Sequence, residues 1–362
     1  RLIRQYPQGE VGSHLIGYIG RINDADLKDI TDGGQLPNYR GADHIGKIGL
    51  EQHYEHVLRG MTGFEEVEID SGGRAVRTLK RTPPKAGANL ILSVDIELQK
   101  VAEAAFGDNK GSLVAIDPTT GGILAFVSKP GFDPNLFVDG IDPQNWNELN
   151  TSPDKPLLNR ALRGEYPPGS TFKPFMALAA LEGGFRSASY VYADPGFYTL
   201  AGHTFRDDKP GGHGLVDMYK SIVESCDTYY YTLANQMGID NIAKFMATVG
   251  LGEKTGIDLE NERSGVLPSP EWKRSRFKEP AQQKWFAGET ISIGIGQGYN
   301  SYTPLQLAHA TSTLANRGVM VRPRLVKSIS PVDSAALLPS APPPIQLAQR
   351  GYWDFVIGVM EG

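Results

Sequence analysis

Apolar and polar positions alternate at strand spacing in several short stretches of the chain, and turn residues separate these stretches. GSLVAIDPTTGGILAFVSKP, residues 111–130, has two β-branched stretches around Asp117-Pro118-Thr119-Thr120-Gly121 and therefore predicts a β-hairpin. EEVEIDSGGRAVRTLKR, residues 65–81, predicts a second hairpin with its turn at Ser71-Gly72-Gly73. ETISIGIGQG, residues 289–298, predicts a strand that is followed by a turn.

Other stretches carry apolar residues at helical spacing. HIGKIGLEQHYEHVLRG, residues 44–60, predicts one helix, and VDMYKSIVESCDTYYYTLANQMG, residues 216–238, predicts another. DIELQKVAEAAF, residues 95–106, predicts an amphipathic helix whose apolar face carries Leu98, Val101 and Ala105. Helical and strand patterns are thus interspersed along the chain.

The clearest interruption between regular elements is RTPPKAGAN, residues 81–89, where Pro83-Pro84 and Gly87 break any helix or strand. We therefore expect a domain boundary there, with an N-terminal domain over residues 1–86 and a larger domain over residues 87–362. A chain of 362 residues is long enough to build two such domains.

Composition narrows the class of protein. The chain is 40% apolar and 21% charged, as expected for a globular protein, and its net charge of -5 argues against nucleic acid as a partner. Its single cysteine excludes an internal disulfide bond. The sequence has no apolar run of membrane-spanning length, and because it begins without methionine we expect an anchor or signal upstream.

One short stretch carries candidate chemistry. GEYPPGSTFKPF, residues 164–175, places Ser170 behind Pro167-Pro168-Gly169 and places Lys173 one helical turn later. A serine hydroxyl needs an adjacent base to act as a nucleophile, and a desolvated lysine can accept its proton. A helix start would also stabilise a developing oxyanion. The alternative interpretation is an ordinary capped helix start.

The Ser-x-x-Lys spacing by itself is weak evidence, because it also occurs at Ser152/Lys155 and at Ser275/Lys278. Neither pair is followed by an apolar helix that could bury its lysine, so both pairs are predicted to be solvated surface. The context of Ser170, rather than the spacing, makes it the candidate nucleophile.

Longer motifs support this hypothesis. Ser225-Cys226-Asp227 would add a second hydroxyl and a carboxylate, and S-x-x-K with S-D-N and K-T-G is the motif set of penicillin-binding proteins and class A β-lactamases. Almost the whole chain resembles class B penicillin-binding proteins, and among them the rod-shape transpeptidases, in YPPGSTFKP, VAIDPTTGGILAFVSKPGFDPNLF, ESCDTYYY, TGIDL and GIGQGYNSYTPLQLA. YRGADHIGKIGLEQHYEHVLRGMTG resembles the N-terminal pedestal of that family.

The resemblance implies a fold and a set of roles. The fold would be α/β (α+β), of the penicillin-binding/β-lactamase-like transpeptidase type, with an antiparallel sheet flanked by helices and a smaller β-rich pedestal. Ser170 would be the acylated nucleophile, and Lys173 would be its general base. Ser225 would relay protons, and Asp227, where the family more often has Asn, would orient the lysine and the serine. The backbone N–H of Ser170 would form half of the oxyanion hole.

Two motifs suggest other sites that we reject. Lys254-Thr255-Gly256 spells the third motif of the family, but it follows Asp227 too closely and predicts a turn that enters a short strand. The resemblance assigns it to the structural TGIDL element. Gly294–Gly298 has some glycines of a dinucleotide-binding loop but lacks the full spacing and the later acidic residue, so it predicts only a tight turn.

The single cysteine has two interpretations. Free cysteines are usually small packing residues. Alternatively, Cys226 completes a set of side chains that a closed, structural zinc site could use, as in some rod-shape transpeptidases that this chain resembles. The predicted ligands are Asp194, Asp207, His213 and Cys226. His203 and Asp208 are rival ligands.

The resemblance implies a peptidoglycan D,D-transpeptidase of cell-wall elongation and rod-shape maintenance. It would work at the periplasmic face of the bacterial inner membrane, anchored by an N-terminal transmembrane helix that is absent from this sequence. D-Ala-D-Ala stem peptides would acylate Ser170, an amine of a neighbouring strand would accept the acyl group, and β-lactams would acylate the same serine. A membrane glycan polymerase and elongation scaffold proteins would be partners, and catalysis would need no cofactor.

Two rival functions remain open. A β-lactamase or D,D-carboxypeptidase would share the acylation step but transfer the acyl group to water, although a pedestal of about 90 residues argues against a free hydrolase. A β-lactam sensor or scaffold without activity is the rival from another class. The resemblance also calls for a Lys-Ser/Thr-Gly strand after GIGQGYNSYTPLQLA. None follows before Gly362, so we expect the natural protein to continue with that motif.

Overall fold

The N-terminal part of the chain alternates short helices with two antiparallel strand pairs. The computed structural model describes residues 4–331 and 342–362. The N-terminal elements are α1 (Ser13–Ile16), β1 (Tyr18–Arg21), α2 (Asp24–Asp32), α3 (Leu36–Tyr39), β2 (His44–Ile48), α4 (Gly49–His53), α5 (Glu55–Leu58), β3 (Phe64–Ile69) and β4 (Ala75–Thr82). Strand β1 pairs with β2, and β3 pairs with β4.

The rest of the chain is rich in helices. Its first half contains β5 (Asn89–Leu92), α6 (Ile96–Ala105), β6 (Gly111–Ile116), β7 (Ile123–Lys129), α7 (Pro143–Thr151), α8 (Arg160–Arg163), α9 (Lys173–Glu182), β8 (Tyr192–Asp194), β9 (Phe197–Leu200), β10 (His203–Arg206) and β11 (Gly214–Val216). Its second half contains α10 (Met218–Val223), α11 (Asp227–Met237), α12 (Ile239–Thr248), α13 (Pro270–Arg276), α14 (Pro280–Gln283), α15 (Ala287–Ile293), α16 (Pro304–Ala315), β12 (Val326–Ser330) and α17 (Gly351–Met360). Among the described helices, none is both long enough and apolar enough to cross a bilayer.

The strands of the larger part also pair in antiparallel fashion. Strand β5 pairs with β12 and β6 pairs with β7, and a bridge between Gly122 and Arg324 links the two pairs. Two smaller pairs, β8 with β11 and β9 with β10, lie next to α11. The predicted hairpins at residues 65–81 and 111–130 are both confirmed.

The helix predicted over residues 44–60 is wrong in its first part. Residues 44–48 form β2, which pairs with β1, and only the segment after Ile48 is helical, as α4 and α5. A Cβ at Gly46 would lie 1.9 Å from the carbonyl oxygen of Glu51. The glycine therefore allows the strand to lie directly against the helix that follows it, which a local pattern of apolar residues does not indicate.

Helix α6 forms where it was predicted, but the predicted buried face is wrong. Leu98 and Val101 are 40% and 66% exposed, whereas Gln99 and Ala102 are buried. The amide of Gln99 donates to the carbonyl of Phe126 at 2.9 Å and accepts from its N–H at 2.8 Å. A polar side chain thus occupies the interior because it satisfies backbone groups of β7, and this contact outweighs the hydrophobic pattern.

Two hydrophobic cores hold the described chain together. The larger core surrounds α9 and α11 and reaches α17 through Trp353 and Val356. The smaller core joins the N-terminal part to the strands, because Leu15 and Leu50 pack with Ile123 and Phe126.

His14 is a buried histidine at the contact between the N-terminal part and the rest of the chain. It is 4% exposed, and neither ring nitrogen has a hydrogen-bond partner in the described chain. Burial lowers the pKa of His14 from 6.5 to about 4; the nearby carbonyls of Pro130 and Pro156 oppose this shift, and the charge of Arg160 adds to it. The folded protein therefore strongly favours the neutral imidazole.

This burial predicts a stability loss in mild acid. Below pH 6.5 the unfolded chain protonates His14 while the folded chain does not, so stability falls as the pH drops towards about 4. Between pH 7 and pH 4.5 the free energy of unfolding of the wild type should fall by about 2 to 3 kcal/mol more than that of His14→Asn. Urea unfolding of both proteins at the two pH values measures this difference. Parallel losses in the two proteins would contradict it.

Candidate active site

The predicted nucleophile lies at the start of a buried helix. Gly169–Phe172 forms one 3-10 turn, and α9 begins directly after it at Lys173. Ser170 is exposed, whereas the side chain of Lys173 is only 1% exposed because the rest of α9 is buried around it. The predicted helix start with a desolvated lysine is therefore confirmed.

A chain of short hydrogen bonds links Lys173 to Ser170 through Ser225. Lys173 Nζ donates to Ser225 Oγ at 2.9 Å, to the Ser225 carbonyl at 2.6 Å and to Asp227 Oδ1 at 2.6 Å. Ser225 Oγ in turn donates to Ser170 Oγ at 2.8 Å. All four predicted catalytic residues are brought together, and among the described contacts the hydroxyl of Ser225 is the link between the lysine and the nucleophile.

Ser225 reaches this position because the helix predicted over residues 216–238 is broken there. The segment forms two helices, α10 and α11, and Ser225 lies between them with a φ of 56°. A serine at positive φ is uncommon and cannot continue a right-handed helix. The prediction of one helix was wrong at this point, since hydrophobic spacing is similar on both sides of the break and does not reveal it.

The charges in the site are matched. Lys173 is buried, and Asp227, at the first position of α11, is its carboxylate partner with a side chain 19% exposed. The ring of Tyr230, one turn further along α11, has its centroid 5.7 Å from Lys173 Nζ. A buried lysine without such partners would be costly, so Asp227 offsets the cost of burying Lys173 and orients its Nζ.

The GIGQG segment, residues 294–298, contacts the turn that carries Ser170. The strand predicted for residues 289–293 is wrong, because this segment belongs to α15, and the turn after it contacts Gly169. The N–H of Gly169 donates to the carbonyl of Gly296 at 3.0 Å. A Cβ at Gly296 would lie 2.2 Å from the carbonyl oxygen of Gly169, and the residue has a φ of 72°.

Gly296→Ala is therefore expected to destabilise the protein by about 2 to 4 kcal/mol, because it adds a steric clash to backbone strain. Gly298→Ala is the matched control. Its φ is similar, 67°, but its Cβ would make only ordinary contacts, to Ser292 Cβ at 3.4 Å, Ile293 Cγ1 at 3.7 Å and Ile293 N at 4.0 Å. We therefore expect a loss of only about 1 kcal/mol. Urea unfolding compares the two variants, and equal losses would contradict the proposed clash.

The rejected Lys-Thr-Gly motif lies in an irregular loop rather than at the start of the predicted short strand. Lys254 is exposed. Glu262 accepts hydrogen bonds from Thr255 N and Oγ1, both at 2.7 Å, and from Gly256 N at 3.0 Å. Further along, Asp258 binds the backbone N–H groups of Leu325 and Val326. These contacts agree with the prediction that the TGIDL element has a structural role.

The four predicted zinc ligands form one buried cluster beside the predicted catalytic residues. One ligand atom from each of Asp194, Asp207, His213 and Cys226 lies within 4.8 Å of the others. His213 Nδ1 is 3.0 Å from Asp194 Oδ2 and 3.3 Å from Asp207 Oδ1, and Cys226 Sγ is 3.5 Å from each carboxylate. The rivals His203 and Asp208 are exposed and lie outside this cluster.

The electrostatics of the cluster suit a divalent cation. Burial raises the pKa of the Cys226 thiol, and the charges of Asp207 and Asp194 raise it further. Burial by itself would raise the pKa of Asp207 too, but hydrogen bonds with Asp208 and with Thr228 lower it below its ordinary value. Two carboxylates, an imidazole and a thiol in one closed group are the nitrogen, oxygen and sulfur donors that structural zinc sites use.

Comparison with protein families agrees with this geometry. Residues 111–346 match the penicillin binding protein transpeptidase domain, and residues 1–92 match the penicillin-binding protein dimerisation domain. Peptidoglycan D,D-transpeptidase MrdA of Escherichia coli K12 is 43% identical over 99% of this chain. The chain spans only 57% of that relative's length.

Solved structures show the same fold. PBP2 of Pseudomonas aeruginosa, in complex with WCK 5153, is 42% identical with a TM-score of 0.87, and the match covers 99% of this chain and 74% of that one. PBP2 of Helicobacter pylori, in complex with MreC, is 32% identical with a TM-score of 0.88, covering 99% of this chain and 63% of that one. The predicted penicillin-binding/β-lactamase-like fold is confirmed, and the chain belongs to the penicillin-binding protein transpeptidase family.

Proposed function

We propose that this chain carries the acylation site of a peptidoglycan D,D-transpeptidase that acts in cell-wall elongation and rod-shape maintenance. The observation that carries the proposal is the hydrogen-bonded chain from buried Lys173 through Ser225 to the exposed hydroxyl of Ser170. A nucleophile joined to a base by an oriented second hydroxyl is the arrangement that covalent acyl transfer requires.

In acylation, Ser170 Oγ attacks the carbonyl carbon of the D-Ala-D-Ala amide bond. Its proton passes to Ser225 Oγ, whose own proton passes to Lys173 Nζ, so the lysine must begin as a neutral amine. The hydrogen bonds run in the direction that exists after this transfer, from Lys173 Nζ to Ser225 Oγ and from Ser225 Oγ to Ser170 Oγ. When the C–N bond breaks, the same path returns a proton to the departing amine of D-Ala.

Ser170 is also placed for oxyanion stabilisation. The first N–H groups of a helical turn have no partner within the helix, and Ser170 is the second residue of its 3-10 turn. Its N–H, together with the positive end of α9, would stabilise the negative charge on the carbonyl oxygen during attack. Asp227 would keep Lys173 directed at Ser225 between the two half-reactions.

The cluster of Asp194, Asp207, His213 and Cys226 would hold a structural zinc ion. The metal would supply charge compensation for the two carboxylates and favour the thiolate of Cys226. Because Cys226 lies directly between Ser225 and Asp227, a metal bound there would also fix the loop that carries both residues.

The proposal extends to partners and location. The H. pylori relative is in complex with MreC, and we propose a scaffold protein of that kind as a partner of this protein. A membrane glycan polymerase would supply the glycan strands. The protein would act at the periplasmic face of the inner membrane, held there by an N-terminal transmembrane helix.

Covalent labelling tests the acylation site. The full-length protein should gain the mass of one β-lactam molecule, and peptide mapping should place it on Ser170. Ser170→Ala should gain none, whereas Ser275→Ala, which removes the exposed serine of another Ser-x-x-Lys, should label like the wild type. Label that survives Ser170→Ala would refute the assignment.

A hydrolase is the second candidate, because it would share the acylation step. A transpeptidase should keep the β-lactam acyl group for a long time, so turnover of a chromogenic β-lactam should be very slow. Fast, repeated hydrolysis would favour a β-lactamase. Stable acylation without any cross-linking of lipid-linked substrate would favour a sensor or scaffold.

A further inference from the structure

Tyr302 contacts the chain on both sides of Ser170. Before the nucleophile, Tyr166 and Tyr302 exchange two backbone hydrogen bonds, both of 2.9 Å. After it, the ring of Phe172 lies nearly parallel to the ring of Tyr302, with 6.4 Å between their centroids and 11° between their planes. Both rings are fully buried. Tyr302 therefore restricts the movement of the segment that carries the nucleophile.

The side chain of Asn300 joins Tyr302 to the segment before it. Asn300 is buried, and its Oδ1 accepts a hydrogen bond from the Tyr302 hydroxyl at 2.8 Å. Its Nδ2 donates to the carbonyl of Ile293 at 3.1 Å and to the carbonyl of Gln297 at 3.0 Å. A side-chain amide has two N–H groups, so each N–H of Asn300 has its own acceptor.

The two carbonyls that Asn300 binds lie on either side of Gly296 in the chain. Ile293 is the last residue of α15, and Gln297 follows Gly296 directly. The carbonyl of Gly296 accepts the N–H of Gly169, the residue before the nucleophile, at 3.0 Å. Asn300 therefore holds in place the turn that contacts the residue before the nucleophile.

Resting on the proposed function, we propose that Asn300 is a positioning residue for acylation. It acts on Ser170 through Gly296 and Tyr302, which contact the chain next to the nucleophile. The hydroxyls of Ser170 and Ser225 are 2.8 Å apart. A shift of about 1 Å in such an arrangement can slow a reaction roughly a hundredfold. The amide of Asn300 carries no charge, so it affects the position of the nucleophile and not the protonation of the base.

Two variants weaken this arrangement to different extents. Asn300→Ala removes all three hydrogen bonds and leaves the Tyr302 hydroxyl and two carbonyls without that partner, so the turn should shift. Tyr302→Phe removes only the hydroxyl and keeps both the ring contact with Phe172 and the backbone hydrogen bonds to Tyr166. This milder variant provides an independent test in case Asn300→Ala does not fold.

Tyr299→Phe is the matched control. It removes a tyrosine hydroxyl from the same segment, and that hydroxyl donates to Glu289 Oε1 at 2.9 Å. The other described contacts of the Tyr299 ring are with residues 272–285, not with the turn that carries Ser170. Loss of this hydrogen bond should therefore lower stability without moving the nucleophile.

The experiment follows acylation of the full-length protein by a β-lactam in stopped flow, well below the melting temperature of each variant. The rate constant reports the geometry of the folded site, whereas the amplitude reports the folded fraction. Asn300→Ala should lower the second-order rate constant about thirtyfold and Tyr302→Phe about fivefold, both with full amplitude. Tyr299→Phe should stay within about twofold of the wild type. The pH at which acylation is half-maximal should be the same in all four proteins, because none of the substituted side chains belongs to the proton path.

Wild-type rate constants in both Asn300→Ala and Tyr302→Phe would overturn the inference, even with lowered melting temperatures, because Asn300 would then serve stability alone. An equal fall in Tyr299→Phe would overturn it as well, and so would a shifted pH profile, which would place these residues in proton transfer. A wild-type protein that never acylates Ser170 would instead refute the proposed function, and this inference with it. The two failures are therefore distinguishable.

Discussion

Replacing Lys173 with alanine is expected to slow acylation of Ser170 by a β-lactam by roughly four orders of magnitude, a loss typical of removing one member of a catalytic group. Lys173 is the buried end of the hydrogen-bonded chain through Ser225, and its side chain is 1% exposed. Without it the proton of Ser170 has no base to reach. The rate of labelling by a fluorescent penicillin measures the effect, and Lys173→Met repeats it with most of the side-chain volume retained.

Lys254→Ala is the matched control for this prediction. Lys254 is exposed, and the two residues after it are bound to Glu262, so acylation should stay within about twofold of the wild type. If Lys254 proves essential, the Lys-Thr-Gly motif at residues 254–256 is catalytic after all. If Lys173→Met acylates normally, the chain through Ser225 is not the proton path.

Protein purified without a metal-chelating tag is expected to contain about one zinc ion per chain, as a four-ligand site would hold. Cys226→Ser should release the metal and lower the melting temperature by roughly 10 °C, because a bound structural metal contributes its binding energy to folding. Its loss would leave Asp194 and Asp207 buried beside His213 without a cation. Elemental analysis and thermal unfolding, before and after treatment with a chelator, measure both effects.

The rival ligand His203 supplies the control for the metal. It is exposed and lies outside the cluster, so His203→Gln should keep its zinc and its melting temperature. Loss of zinc from this variant would mean that the ligand set is wrong. If the wild-type protein contains no metal, the zinc proposal is wrong and Cys226 is a buried packing residue.

Local patterns predicted the elements whose causes are local. The hairpins at residues 65–81 and 111–130 formed because their strands and turns are adjacent in the chain. The helix start at Ser170 was predictable for the same reason. Patterns failed where a distant contact decides the outcome, as at Gln99, which is buried because it satisfies the backbone of Phe126, 27 residues away.

The sequence by itself determined which side chains are candidates for catalysis and for metal binding: a serine one helical turn before a lysine, a second serine with a carboxylate, and four possible zinc ligands. Only the tertiary structure decided how these groups meet. Ser225 lies 55 residues from Ser170 in the chain, yet their hydroxyls are 2.8 Å apart. That contact depends on the positive φ of Ser225 and on the packing of α9 against α11, which are set by long-range burial. Residue spacing along a chain indicates which side chains meet within one helix or one turn. It does not indicate how far apart two helices pack, because that distance depends on the whole fold.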